Sequence, residues 1–196
     1  MAKSWPNPGL DVPLTGRSRS PCHGLAMRHF LAAALVAIAV SASSAPSAFA
    51  KGGPQETALD AAGDPGTIVI KTSERKLYLL TGNGRALRYD IAVGKPSEQW
   101  FGRSWVSMKR PRPTWTPTPD MRANKPSLPQ SVGPGPKNPL GERAMNLGWT
   151  TYRIHGTNSP RSIGSAASSG CFRMRNADVK DLYERVHVGA QVIVER

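Results

Sequence analysis

Apolar positions fall into distinct patterns along this chain. Residues 68–70 (Ile-Val-Ile) and 77–80 (Leu-Tyr-Leu-Leu) are short β-prone runs. The polar stretch 71–76 between them predicts a hairpin. The turn cluster Thr81-Gly82-Asn83-Gly84 leads into a third strand over 86–93, closed by Gly94-Lys95-Pro96. Residues 150–154 form another β-prone run, and residues 191–195 read as a final strand after Gly189. Val179, Leu182, Tyr183 and Val186 fall at i, i+3, i+4 and i+7, one apolar face of a short helix, with Asn176 as its N-cap. There is no internal repeat. The pattern predicts a mainly β domain with one or two short helices.

Two stretches break this periodicity. Over residues 100–140 the prolines Pro111, Pro113, Pro117, Pro119, Pro126, Pro129, Pro134, Pro136 and Pro139 exclude a central strand or a helix interior. The region reads as a long ordered loop carrying Trp115, and loops of that length in compact domains are usually functional or disordered. Near the N-terminus, Arg28 precedes an unbroken apolar run over 30–40, then small residues ending in Ala48-Phe49-Ala50. That is the layout of a secretory signal peptide over 27–50, cut after Ala50. The run is too short for a stable membrane span; an uncleaved anchor or a buried helix is the alternative. Residues 1–26 form an N-terminal extension, either upstream of a true start at Met27 or an unusually long n-region. Residues 51–66, rich in Gly, Pro, Ala and Asp, predict a flexible leader, with order beginning at Thr67 and one domain over 67–196.

Composition narrows the partners. The chain has 196 residues and a formal net charge of +13, which favours anionic partners such as wall polymers, lipid or nucleic acid. The basic residues are dispersed and no nucleic-acid-binding motif is present, so nucleic acid is excluded as a partner. Of the two cysteines, Cys22 precedes the apolar run, which leaves Cys171 alone in the exported part. An unpaired cysteine in an oxidising compartment suggests a reactive thiol or an intermolecular bridge.

The segment 155–174, His-Gly-Thr-Asn-Ser-Pro-Arg-Ser-Ile-Gly-Ser-Ala-Ala-Ser-Ser-Gly-Cys-Phe-Arg-Met, is dense in small residues and predicts a shaped loop. A thiol attacks a carbonyl as thiolate, and an imidazole can take its proton, so Cys171 as nucleophile and His155 as general base form a candidate pair. Gly170 allows a sharp turn, and the backbone N–H groups of Gly170 and Cys171 are candidate oxyanion donors. Arg173 is placed to pair with a substrate carboxylate. Trp115 and Ser169 are further candidate substrate-binding residues. On residues alone, an inert buried thiol and a structural histidine remain open. No Cys or His spacing matches a metal site, and His187 reads as a surface residue.

The segment resembles the signature of the L,D-transpeptidase catalytic domain, the YkuD family. The likeness rests on His155-Gly156-Thr157 and on Ser168-Ser169-Gly170-Cys171-Phe172-Arg173-Met174. Asn138-Pro139-Leu140-Gly141, Ser162-Ile163-Gly164, the Asp178/Leu182-Tyr183 helix and the 68–93 block also resemble it, so it spans about residues 67–195. Many members have His where Ser169 stands and Ile or Val where Phe172 stands, which bears on substrate preference and not on the nucleophile. The resemblance implies a β-sandwich-like domain and acyl transfer on peptidoglycan stem peptides. Cys171 would attack a donor tetrapeptide, D-alanine would leave, and an amine would resolve the thioester into a 3–3 cross-link or a protein attached to the wall. It further implies that the Gly156 carbonyl orients His155, that no metal or organic cofactor is needed, and that carbapenems acylate Cys171. The Pro- and Trp-rich region resembles a Gram-negative subgroup, which implies a periplasmic home. Resolution by water, giving a carboxypeptidase or hydrolase, and a wall-binding module without turnover are the alternatives.

Overall fold

The computed structural model describes residues 53–196. The signal peptide and the N-terminal extension expected from the sequence lie outside the described residues. In chain order the strands are β1 (Gln55–Ala58), β2 (Ile68–Lys71), β3 (Lys76–Gly82), β4 (Arg85–Gly94), β5 (Gly102–Pro111), β6 (Arg143–Leu147), β7 (Arg153–His155), β8 (Ala166–Ser168), β9 (Phe172–Met174) and β10 (Gln191–Glu195). The helices are α1 (Pro119–Asn124) and α2 (Asn176–Arg185).

The strands run in the order β1-β4-β3-β2-β10-β5-β6-β7-β9, and β9 pairs back onto β4. The sheet thus curls on itself into a barrel- or sandwich-like arrangement. The corner is β4: residues 85–90 pair with β1 and β3, whereas Ile91 and Ala92 pair with β9. Most pairs are antiparallel, but β10 runs parallel to β2 and β7 runs parallel to β9. Inside the curl, Ile68, Ile70, Leu77, Tyr89, Ile91, Val106, Met145, Leu147, Ile154, Phe172, Met174, Val192 and Val194 form one core. Burying each large apolar side chain contributes about 1.5–3 kcal/mol.

Helix α2 closes this core with Val179 and Leu182, followed by Val186. Its face is the one the 3.6 period predicts. Polar contacts fix its register on the sheet: the buried Tyr89 hydroxyl donates to Asp181 at 2.6 Å, and Lys109 Nζ donates to the Val186 carbonyl at 2.7 Å. The first residue of the helix differs from expectation. Arg175 is the N-cap, without a side-chain cap bond, and Asn176 is already helical. The Asn176 carboxamide bonds other backbone segments instead.

Two further expectations are corrected. Residues 55–58, within the stretch read as a flexible leader, form β1, because Gln55 to Ala58 pair with Arg88 to Arg85 of β4 through the backbone ladder and through side-chain bonds from Arg85 to Glu56 and from Arg88 to Gln55. The long loop predicted over 100–140 holds strand β5, paired with both β10 and β6. It escapes the pattern because only Ser104 and Val106 face inward while Trp105 and Met108 lie exposed, inverting the usual alternation. Prolines govern only the stretch beyond Pro111, and even there Thr118 caps the short helix α1 through Met121 N–H.

Candidate active site

The parallel register of β7 and β9 sets Ile154 beside Phe172 and His155 beside Arg173. Side chains alternate across a strand. Ile154 and Phe172 therefore point into the core, as their burial shows. Arg153 and His155 of β7, Arg173 of β9 and Cys171 just before β9 share the opposite face. That face opens into a cavity of about 170 Å³ that also touches Trp115, Ser168 and Ser169. The fold thus brings together Cys171, His155, Arg173, Trp115 and Ser169, whereas Gly156 and Gly170 lie directly behind it as backbone.

His155 is buried, and its Nδ1 lies 2.6 Å from the Gly156 carbonyl oxygen. A carbonyl only accepts, so in the neutral ring Nδ1 carries the proton and Nε2 is left bare. Burial pushes the His155 pKa down to about 4, against the Gly156 hydrogen bond; the Arg173 and Arg153 charges lower it further. Burial likewise pushes the Cys171 thiol up, opposed by the Arg153 backbone and by the positive charges of Arg153 and Arg173. Both shifts favour the uncharged forms, a neutral thiol and a neutral imidazole, in the resting fold.

The turn before Cys171 is held largely by polar contacts. Gly170 has φ +103°, and a Cβ there would meet the Tyr152 ring at 2.2 Å, so only glycine fits. Ser168 Oγ donates to the Cys171 carbonyl at 2.5 Å and accepts the Gly170 N–H at 3.2 Å. The Gly170 N–H, expected to face an oxyanion, is thus bonded within the loop in this state, leaving the Cys171 N–H as the remaining donor of the pair. Behind the turn, Trp100 stacks on Tyr152 with centroids 5.6 Å apart and donates Nε1–H to the Gly170 carbonyl at 3.3 Å.

The proline-rich segment forms the other wall. Asn138, fully buried, donates to the carbonyls of Pro113, Val132 and Gly133 and accepts the Leu140 N–H. Trp115 and Val132 form a two-residue bridge across the base of the strap. A larger cavity of about 640 Å³ lies beside the first and shares Thr157 and Asn158 with it, but it contains neither Cys171 nor His155. Among the described residues, no three His, Cys, Asp or Glu side chains gather as a metal cage requires.

Sequence reasoning missed Arg153, Thr157, Asn158 and Met121 as lining residues. Arg153 was within reach: it stands two residues before His155, and period two on a strand puts both on one face. Met121 carries no comparable local signal, because the strap that delivers it has no periodicity.

The chain matches the family model of the L,D-transpeptidase catalytic domain over residues 65–194. It is 40% identical over 134 residues to the probable L,D-transpeptidase YbiS of Escherichia coli, covering 64% of this chain and 43% of that protein. It is 36% identical over 137 residues to a putative L,D-transpeptidase encoded in the ATP synthase region of Fuscovulum blasticum, covering 69% of this chain and 71% of that one. Among solved structures, an L,D-transpeptidase of Enterococcus faecium superposes with a TM-score of 0.53 at 20% identity, covering 67% of this chain and 50% of that one. That likeness concerns the fold alone. The chain spans less than half the length of the Escherichia coli relatives it matches.

Proposed function

The chain belongs to the L,D-transpeptidase catalytic domain family, and on that premise we propose that it is a peptidoglycan L,D-transpeptidase working through Cys171 and His155. The observation that carries this reading is the β7–β9 register, which sets the thiol and the imidazole on one face of a cavity flanked by two guanidinium groups.

Cys171 Sγ attacks the carbonyl carbon of the third residue, a diaminopimelate, of a donor tetrapeptide. As the C–S bond forms, the thiol proton passes to His155 Nε2. The developing oxyanion faces the Cys171 N–H. When the tetrahedral species collapses, the C–N bond to D-alanine breaks and the imidazolium returns its proton to the departing amine. An acceptor amine then attacks the thioester, His155 takes the amine proton, and the sulfur leaves to become the thiol again. No step calls for a metal or an organic cofactor. Arg173 and Arg153 draw the stem-peptide carboxylates, and Trp115 and Ser169 shape the donor side. The layout of residues 27–50 supports export to the periplasm or wall, with a mature N-terminus at Lys51. A wall-anchored protein can serve as acceptor in place of a second stem peptide.

Incubation with disaccharide-tetrapeptide, read by mass spectrometry, tests the reading. Cross-linked dimers that vanish in Cys171→Ala support it. Tripeptide without dimers assigns water as the resolving nucleophile. Cross-linking that survives in Cys171→Ala overturns it.

A further inference from the structure

The Asn176 carboxamide sits where the sequence predicts a helix cap, yet it caps nothing on its own helix. Its Oδ1 accepts the Thr157 N–H and the Glu142 N–H, each at 3.2 Å, and its Nδ2 donates to the Thr157 carbonyl at 3.1 Å. The space it occupies exists because two neighbours lack side chains. A Cβ on Gly141 or on Gly156 would stand 2.2 Å from Asn176 Oδ1. At Gly141 the backbone also has φ +64°, but at Gly156 no positive φ calls for glycine, so contact with the carboxamide and nearby backbone is what excludes a larger residue.

The Thr157 N–H and the Gly156 carbonyl belong to one planar peptide unit, pointing in opposite directions. Fixing the N–H therefore fixes the carbonyl, and that carbonyl is the acceptor 2.6 Å from His155 Nδ1. The Gly156 N–H is held separately by the Arg143 carbonyl at 3.0 Å. We propose that Asn176 is a positioning residue for the base: wedged between Gly141 and Gly156, its carboxamide locks the Gly156–Thr157 peptide so that Nδ1 stays protonated and Nε2 stays bare toward Cys171. This deepens the reading of His155 as the base and rests on it. It also ties the start of α2, five residues after the nucleophile, to the segment after the base, so one side chain registers both halves of the pair.

The test uses the mature chain with Asn176→Ala, Gly156→Ala and the double variant. Two readouts serve: kcat and KM on disaccharide-tetrapeptide, and the tautomer of His155 from ¹⁵N chemical shifts of labelled imidazole. In the wild type a single Nδ1–H tautomer is expected. Asn176→Ala should lower kcat about tenfold to a hundredfold, a part of the full contribution of a general base, with KM within about threefold. Its His155 should show a mixture of tautomers. Gly156→Ala, which drives a methyl against Oδ1 while leaving Asn176 itself in place, should do the same, and it serves alone if Asn176→Ala does not fold. Because both act on one contact, the double variant should be no worse than the worse single. Folded variants that keep wild-type kcat and one tautomer while only melting earlier overturn the proposal, as do losses that multiply in the double. If the wild type shows no turnover on muropeptides, the proposed activity fails. The tautomer readout still judges Asn176 in that case.

Discussion

The curled sheet and the straps around the cavity are built by different physics. In the sheet, a dozen side chains from β2, β3, β4, β9 and β10 pack together, and of these Tyr89 alone carries a polar group, its hydroxyl bonded to Asp181. In the strap over residues 112–142 and the turn over 156–171, structure is held by side-chain atoms bonded to backbone: Asn138 to four groups, Asn176 to three, Ser168 to two. Apolar packing is non-directional and tolerates exchange at constant volume. Hydrogen bonds to buried backbone are directional, and removing one partner leaves the other unsatisfied. The sheet therefore carries stability, and the straps carry geometry.

The largest expected effect falls on the apolar core, where Leu182 of α2 packs against the curled sheet. Leu182→Ala should lower unfolding free energy by about 2–5 kcal/mol in denaturant titrations, while the folded fraction keeps its kcat. A loss of kcat larger than the loss of folded protein would break the division between the two regions.

His155 stands on the border between them. Its pKa is held near 4 in the fold, against about 6.5 in an unfolded chain. Below pH 6.5 the unfolded state binds a proton that the folded state refuses. The stability is thus fully present above about pH 6.5 and declines by about 3 kcal/mol as pH falls toward 4. His155→Gln should flatten that decline when unfolding is followed across the same range. An unchanged slope would show that burial of the imidazole costs the fold nothing.

Asn138→Ala should act locally. It orphans the Pro113 and Gly133 carbonyls and the Leu140 N–H, while the Val132 carbonyl keeps the Trp115 N–H; the cost, about 1–3 kcal/mol, should be confined to the strap. Limited proteolysis is expected to cut within 112–140 while the global melting temperature shifts by only a few degrees. A melting shift equal to that of Leu182→Ala would make the strap part of the core.

The smallest effect is expected at Ser168. Ser168→Ala removes two bonds from the nucleophile turn, about 1 kcal/mol in stability, yet kcat should fall about tenfold because Cys171 loses its fixed carbonyl. Equal wild-type kcat in Ser168→Ala would show that Gly170 and the Tyr152–Trp100 stack suffice to hold the turn.

These regions also differ in how far the sequence reveals them. Strands β2, β3, β4 and β10 and the face of α2 were legible because burial imposes a period on neighbouring residues. Strand β1, with Gln55, Glu56 and Thr57, had no apolar period; its ladder to β4 is reinforced by polar pairs, Arg85 with Glu56 and Arg88 with Gln55, that only the pairing reveals. Strand β5 turns Trp105 and Met108 outward, so its pattern points to the wrong face. Asn176 has the composition of a cap, and nothing local indicates that Gly141 and Gly156 have made room for it elsewhere.

By itself the sequence singled out Cys171 and His155 as a candidate pair, through their residue types and the glycine-rich segment between them, and it marked the apolar runs that become the core. Only the tertiary structure decided which ring nitrogen of His155 is free, that Arg153 joins Arg173 beside the thiol, that the Gly170 N–H is already bonded, and that the Asn176 carboxamide bonds Thr157 and Glu142 rather than its own helix. Each of these depends on which segments lie side by side. The parallel β7–β9 pair, the return of β9 to β4 and the strap over the cavity are contacts between residues far apart in the chain, set by how the whole sheet closes. A local pattern records the environment a residue needs, but the neighbour that supplies it is chosen by the fold.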